Sequence, residues 1–322
     1  MHPTGSPSPT NVPRRILVGA TAHDAIAAVI RAKRPDLEVR GGAHTSLTAS
    51  DLDWAEAYVG FRRPPAAATM GNVRWVHCTG AGVDAWLGDA PIDPAILLTR
   101  TSESFGPMIA EWAVARILAF QQQLQELRDA QAESRWAPRD IARIAGTRAL
   151  IVGTGDIGRA IGTALAGLGV IVTGVSRSGH AVGAPFSSVH AVRSLPSLVG
   201  GTDWIVLVIP STPESRHLFS RDLLAHCRGA VLLNAGRGAV IEEQALPEAL
   251  AQGWLRGAAL DVFETEPLPA ESPLWRDPRV MISPHISGLT TVEGAAAGFL
   301  ESLAELERGV TPKWQVDRTL GY

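Results

Sequence analysis

The sequence predicts an α/β protein built on two doubly wound parallel sheets. Three observations carry this. Short apolar runs of strand length recur at 15–19, 73–78, 149–152, 170–175, 204–209, 230–234, 257–260 and 280–282, with helical patterns between them. The stretch Arg148 to Arg177 reads strand, glycine turn, helix, strand within about thirty residues. That unit begins in mid-chain, so a separate β/α domain precedes it. Both domains are therefore expected to be Rossmann-like, with ligands bound beyond the carboxyl ends of the strands, in the cleft between them.

The mid-chain unit carries the clearest chemistry. Gly153, Gly155 and Gly158 stand in the spacing G-x-G-x-x-G, directly after the apolar run Ala149 to Val152. The first glycine serves the tight turn. The second lets a pyrophosphate approach the backbone, and the third lets helix and strand pack closely. Ile157, Ile161, Leu165 and Leu168 give the next segment a helical face, and its N-terminus offers unpaired N–H groups to the phosphates. A dinucleotide is the expected ligand.

Composition narrows the partners. With 322 residues, of which 46% are hydrophobic, the chain is long enough for two cores. A net charge of −3 without a basic stripe argues against nucleic acid and against an anionic membrane surface. Cys78 and Cys227 are far apart, form no zinc-like spacing and suit a reducing, cytoplasmic compartment; no metal is expected. No apolar run approaches the ~20 residues of a membrane helix.

In chain order, residues 1–13 are rich in Pro, Ser and Thr and are expected to form a flexible tail. A first domain is expected over 14–99, completed by 290–322. Within it, a helix is expected over 24–33, a strand over 37–40, a short helix over 51–56 capped by Ser50, and strands over 57–61, 73–78 and 97–99. Thr79-Gly80-Ala81-Gly82 forms a second glycine turn. The nucleotide domain is expected over 100–289, opening with one long helix over 107–128 that turns Ile109, Trp112, Ala113, Arg116, Ile117 and Phe120 inward. Trp136 falls in the loop that follows. Helical segments are expected over 221–227 and 242–253, and a last helix over 291–308.

Three charged residues follow strands of the nucleotide domain. Arg237 lies in Asn234-Ala235-Gly236-Arg237-Gly238, Glu266 in Asp261-Val262-Phe263-Glu264-Thr265-Glu266-Pro267, and His285 in Ser283-Pro284-His285-Ile286-Ser287-Gly288. An imidazole delivers protons near neutral pH, a carboxylate hydrogen-bonded to it favours the charged ring, and a guanidinium grips a carboxylate with two parallel hydrogen bonds.

At these residues the chain resembles the D-isomer-specific 2-hydroxyacid dehydrogenases, from about residue 70 to the C-terminus. The glycine turn at 80–82, Ala110-Glu111-Trp112, the fingerprint, Pro210-Ser211-Thr212-Pro213-Glu214 and the three charged sites recur in order. Glu266-Pro267-Leu268-Pro269, Ser272-Pro273-Leu274-Trp275 and the ending Gln315-Val316-Asp317-Arg318 are similar to the glyoxylate/hydroxypyruvate reductase A branch. The first 60 residues match loosely, which leaves the substrate side chain open, including a bulkier 2-oxo acid. The resemblance implies that Arg237 binds the substrate's carboxylate and carbonyl oxygen, that His285 is the proton donor, and that Glu266 holds His285. It implies substrate contacts from Gly80, Ala81 and Gly82 and from Trp136 of a partner subunit, within a homodimer formed through the nucleotide domain. It also implies that Asp261 meets the nicotinamide carboxamide, and that Asp156, Ile157, Pro210, Thr212, Ala235, Arg237, His285 and Gly288 border the cofactor.

The cofactor's identity is read at the end of the second strand of the unit. An NAD site places an acid there. Here the residues are Ser176, Arg177 and Ser178, which donate hydrogen bonds and supply positive charge, so NADPH is expected over NADH. The expected reaction is reduction of a small 2-oxo acid to the D-2-hydroxy acid. A non-catalytic NAD(P) sensor or corepressor on the same fold is the alternative of a different class, and the intact Arg237, Glu266 and His285 argue against it. Formate-type chemistry is disfavoured, because that branch has glutamine where Glu266 stands. A short-chain dehydrogenase is excluded, since neither Tyr58 nor Tyr322 has a lysine four positions on.

Overall fold

The computed structural model describes residues 12–65, 69–88, 91–101 and 105–321. The tail expected over residues 1–13 falls outside these as far as residue 11. The chain divides into two compact units, residues 1–104 with 290–322, and residues 105–289.

The first unit holds β1 (Arg15–Gly19), β2 (Glu38–Gly42), β3 (Ala57–Val59), β4 (Trp75–Cys78) and β5 (Leu97–Arg100), all parallel in the order β2-β1-β3-β4-β5. This is the flavodoxin-like winding. Alternate residues serve opposite faces. Ile16, Val18, Val59 and Trp75 pack with Ile26 and Ile30 and with Phe299 and Leu303 of the helix Val292–Glu307. Leu17, Tyr58, Val76 and Leu98 pack with Leu52 and Trp86. Both faces of the inner strands β1, β3 and β4 are covered, which is why these read as largely apolar runs. His77 of β4 is buried, with its ring nitrogens 2.8 Å from Thr99 Oγ1 and 2.9 Å from Thr101 Oγ1.

The second unit holds β6 (Arg148–Val152), β7 (Ile171–Ser176), β8 (Ser188–Ala191), β9 (Trp204–Leu207), β10 (Ala230–Asn234), β11 (Leu255–Leu260) and β12 (Val280–Ile282). All are parallel, in the order β12-β11-β10-β9-β6-β7-β8. Counted within the unit, this is the Rossmann winding with a seventh strand, and its switch point lies between β6 and β9.

Four expected helices need correction, and one edge strand is added. The helix expected over 107–128 is two helices, Phe105–Gln121 and Leu124–Ala132, broken at Gln123, whose φ is +50°. The Gln121 and Gln123 amides donate to the carbonyls of Ala142 and Asp140, which anchors the break to the following loop. The short first-unit helix spans Ala49–Trp54, and its cap is Thr48, not Ser50. Thr48 and Asp51 form a reciprocal capping box. The edge strand β8 has no counterpart in the sequence reading, because four residues of mixed polarity at a sheet edge carry little apolar signal. The helices expected over 221–227 and 242–253 shorten to Arg221–Leu224 and Leu246–Ala251. No helix among the described residues is long and apolar enough to cross a membrane.

Candidate active site

The glycine turn after β6 has the shape a pyrophosphate requires. Gly153 has a φ of +110°, and a side chain there would meet the Val208 carbonyl oxygen at 2.7 Å. A Cβ on Gly158 would lie 1.8 Å from the Gly153 carbonyl oxygen, so helix and turn touch through backbone alone. Around Gly155, the N-cap of the helix Asp156–Gly167, a Cβ would find nothing within 4 Å. The middle glycine thus leaves open space at a helix N-terminus, where first-turn N–H groups favour an anion. These residues fit a dinucleotide's phosphates.

At the end of β7, Ser176 Oγ accepts the Gly179 N–H at 3.0 Å, and Arg177 and Ser178 are exposed. The Arg177 charge acts on Glu214, whose carboxyl lies below its ordinary value through a hydrogen bond from its own backbone N–H, then through the Thr212 hydroxyl, and last through Arg177. Beyond β9, the Ser215 hydroxyl donates to the Pro210 carbonyl at 2.7 Å and accepts the Thr212 N–H at 2.8 Å, which sets the loop that follows that strand.

The three charged residues follow neighbouring strands, Arg237 after β10, Glu266 after β11 and His285 after β12. His285 Nδ1 lies 2.8 Å from Glu266 Oε2. A carboxylate only accepts, so the ring donates Nδ1–H and presents Nε2 outward from the pair. The other carboxylate oxygen, Oε1, accepts the Phe263 N–H at 3.1 Å. Glu266 is therefore held from both sides. Arg237 leaves a turn clamped by the buried Asn234, whose side chain donates to the Arg237 carbonyl at 3.0 Å and accepts the Gly236 N–H at 3.1 Å. In the sequence Asn234 carries no signal of this role, because it reads as the polar end of an apolar strand.

Residues 114–287 match the family described as D-isomer specific 2-hydroxyacid dehydrogenase, NAD binding domain. The chain belongs to this family. It is 34% identical over 269 residues to glyoxylate/hydroxypyruvate reductase A of Serratia proteamaculans, covering 81% of this chain and 86% of that protein. Among solved structures, it is similar to a D-isomer specific 2-hydroxyacid dehydrogenase from Xanthobacter autotrophicus in complex with NADPH and MES. That pair has a TM-score of 0.89 and 31% identity over 97% of this chain and 100% of the other. A further likeness is to the NADPH-dependent glyoxylate/hydroxypyruvate reductase of Sinorhizobium meliloti in complex with NADP and sulfate, with a TM-score of 0.84 and 26% identity over 96% and 99% of the two chains. The chain is accordingly an oxidoreductase that uses a nicotinamide cofactor.

In this 2-hydroxyacid dehydrogenase, the histidine has an unusual backbone. His285 holds a φ of +53°, a region non-glycine residues seldom enter. Asp261 enforces it. The Asp261 carbonyl accepts the His285 N–H at 2.8 Å. Its carboxylate, 0% exposed, accepts from Ile286 N–H at 3.0 Å, Ser287 N–H at 2.8 Å and the Ser283 hydroxyl. Ser283 Oγ in turn accepts the Trp112 indole N–H at 2.9 Å. The Asp261 carboxylate, expected from the family resemblance to meet the cofactor's carboxamide, thus also holds the histidine loop. Gly288 ends that loop, where a Cβ would press on Phe105 and Ile109 at 3.0 Å. Ala235 lies half-buried in the arginine turn.

In the first unit, Gly80 lies under the ring of Phe61, which a Cβ would meet at 2.5 Å, and the Ala81 carbonyl accepts from Arg100 at 2.9 Å. Trp136 is 95% exposed, beside a groove lined by Leu127, Ala130, Pro138 and Ile141. Among the described residues, no group of three or more His, Cys, Asp or Glu side chains is placed to hold a metal ion.

Proposed function

We propose that this dehydrogenase reduces a small 2-oxo acid of the glyoxylate or hydroxypyruvate kind to its D-2-hydroxy acid, with NADPH preferred over NADH. The observation that carries the reading is the His285–Glu266 pair, 2.8 Å apart, with Arg237 at the neighbouring strand end. When bound, the reduced nicotinamide supplies a hydride to the substrate's carbonyl carbon. His285 gives a proton from Nε2 to the carbonyl oxygen, and Glu266 keeps the ring turned by holding Nδ1–H. Arg237 orients the substrate through its carboxylate.

The phosphates are assigned to the Gly153–Gly158 turn, with Asp156 and Ile157 opening the helix. The 2′-phosphate is assigned to Ser176, Arg177 and Ser178. The absence of an acid at the end of β7 and the NADPH and NADP complexes of the two structural relatives support this preference. The relative named for glyoxylate and hydroxypyruvate reduction supports the substrate class. Two free, buried cysteines suit a cytoplasmic enzyme. The exposed Leu124, Leu127, Trp136 and Ile141 are proposed to form part of a homodimer interface, with Trp136 reaching the partner subunit.

A panel of 2-oxo acids assayed with both cofactors tests this function. Higher kcat/KM for glyoxylate or hydroxypyruvate with NADPH supports it. An equal or higher kcat/KM with NADH overturns the cofactor assignment, and no turnover of either acid overturns the substrate class.

A further inference from the structure

A second histidine–glutamate pair lies on the same turn as the first. The turn after β11 carries Glu264 two residues before Glu266, and Glu264 Oε1 is hydrogen-bonded to His217 Nε2. The backbone of Glu264 is tied as well, its N–H donating to Glu243 Oε2 at 3.0 Å. The next tie along the turn is the Phe263 N–H on Glu266 itself, at 3.1 Å. His217 has a φ of +51°, and its own N–H donates to the Ala239 carbonyl at 2.7 Å. Ala239 stands two residues after Arg237. His217 therefore spans two turns, joined by its backbone to the arginine turn and by its ring to the glutamate turn.

The two turns also meet without side chains. A Cβ on Gly238 would lie 1.9 Å from the Phe263 carbonyl carbon and 2.0 Å from its oxygen. Such contact fixes the separation of the two backbones at that point. The Glu264 carboxylate adds a side-chain tie to the backbone bond that Glu264 makes with Glu243, because its partner ring is anchored outside the turn. A non-glycine residue in the left-handed region persists only where its surroundings over-determine it, and here that strain aims a ring at a carboxylate.

We propose that His217 and Glu264 form a positioning pair for Glu266, which sets its carboxylate against His285 and so acts on proton transfer. The proposal rests on the proton-donor role given above to His285. Side-chain variants of the pair leave the His217 and Glu264 backbone bonds in place, so the arginine turn is spared. Their effect then falls on kcat, because the Glu266–His285 geometry matters in the transition state rather than in ground-state binding.

The test is steady-state reduction of glyoxylate with NADPH by the full chain and by His217→Ala, Glu264→Ala, the double variant, His217→Gln and Glu266→Gln. His217→Ala and Glu264→Ala are expected to lower kcat by roughly tenfold, with KM for both substrates within about twofold. The double variant is expected to match either single variant, since each breaks the same contact. His217→Gln, whose amide occupies the place of Nε2, is expected to recover most of the loss. Single losses below twofold, or losses that multiply in the double variant, overturn the proposal. If Glu266→Gln leaves kcat unchanged, the proton-donor reading has failed instead. The pair is then read from the NMR signals of the His285 ring, which must move in His217→Ala; unmoved signals overturn it independently of turnover.

Discussion

The backbone N–H of His285 donates to the carbonyl of Asp261 at 2.8 Å, which ties the loop after β12 to the end of β11. The same aspartate takes the next two N–H groups of that loop on its carboxylate. The proposed proton donor is thus tied to the neighbouring strand as well as to its own, where its N–H also reaches the Ser283 carbonyl at 3.1 Å.

Replacing this carboxylate by an amide sets one N–H donor against another. Asp261→Asn is expected to cost about 1–3 kcal/mol of stability, the range for a buried group left unpaired. It is also expected to lower kcat at least tenfold, while the affinity for 2′-phospho-ADP-ribose stays within about threefold. Denaturant unfolding and steady-state kinetics check this; an unchanged kcat contradicts the support assigned to Asp261.

The fingerprint glycines separate folding from binding. Gly158→Ala places a methyl group 1.8 Å from the Gly153 oxygen and is expected to destabilise the nucleotide unit by roughly 1–3 kcal/mol. Gly155→Asp has open space and is expected to keep the unfolding midpoint without nucleotide, yet to weaken NADPH binding at least tenfold by charge repulsion. Thermal scans and fluorescence titration decide both.

In the first unit, His77 makes stability depend on pH. Burial pushes its ring from 6.5 down to about 3. Between those values the unfolded chain binds the proton and the native protein does not. Stability is therefore fully present above pH 6.5 and falls as the pH drops, by up to about 1.4 kcal/mol per unit from this residue. A folded His77→Gln variant is expected to show a pH slope shallower by roughly one proton between pH 6 and 4.5. Equal slopes in wild type and variant contradict a neutral, buried His77.

At the Trp136 face, Leu127→Glu introduces a charge beside an apolar groove. Sedimentation is expected to give a dimer for the wild-type chain and a monomer for the variant. A monomeric wild-type chain overturns the proposed interface.

The sequence made the parallel strands legible because strands covered on both faces are apolar at nearly every position, as β9 and β10 are. Arg237, Glu266 and His285 were legible because each lies just past such a strand. What fixes them was not. Asp261, Ser283 and Trp112 form one hydrogen-bonded chain, yet Trp112 precedes Ser283 by 171 residues. The break at Gln123 has no glycine or proline to mark it. Its amide contacts with residues 140 and 142 arise only when the loop folds back. His217 reads as one polar residue in a loop until the left-handed turn brings it to Glu264.

The most direct measurement is kcat for reduction of glyoxylate or hydroxypyruvate by His285→Ala with saturating NADPH, alongside the NADPH dissociation constant. In this variant kcat is expected to fall by about 10²–10⁴, the range for a lost general acid, while the dissociation constant changes by no more than about threefold. Near-normal kcat in that variant would contradict it.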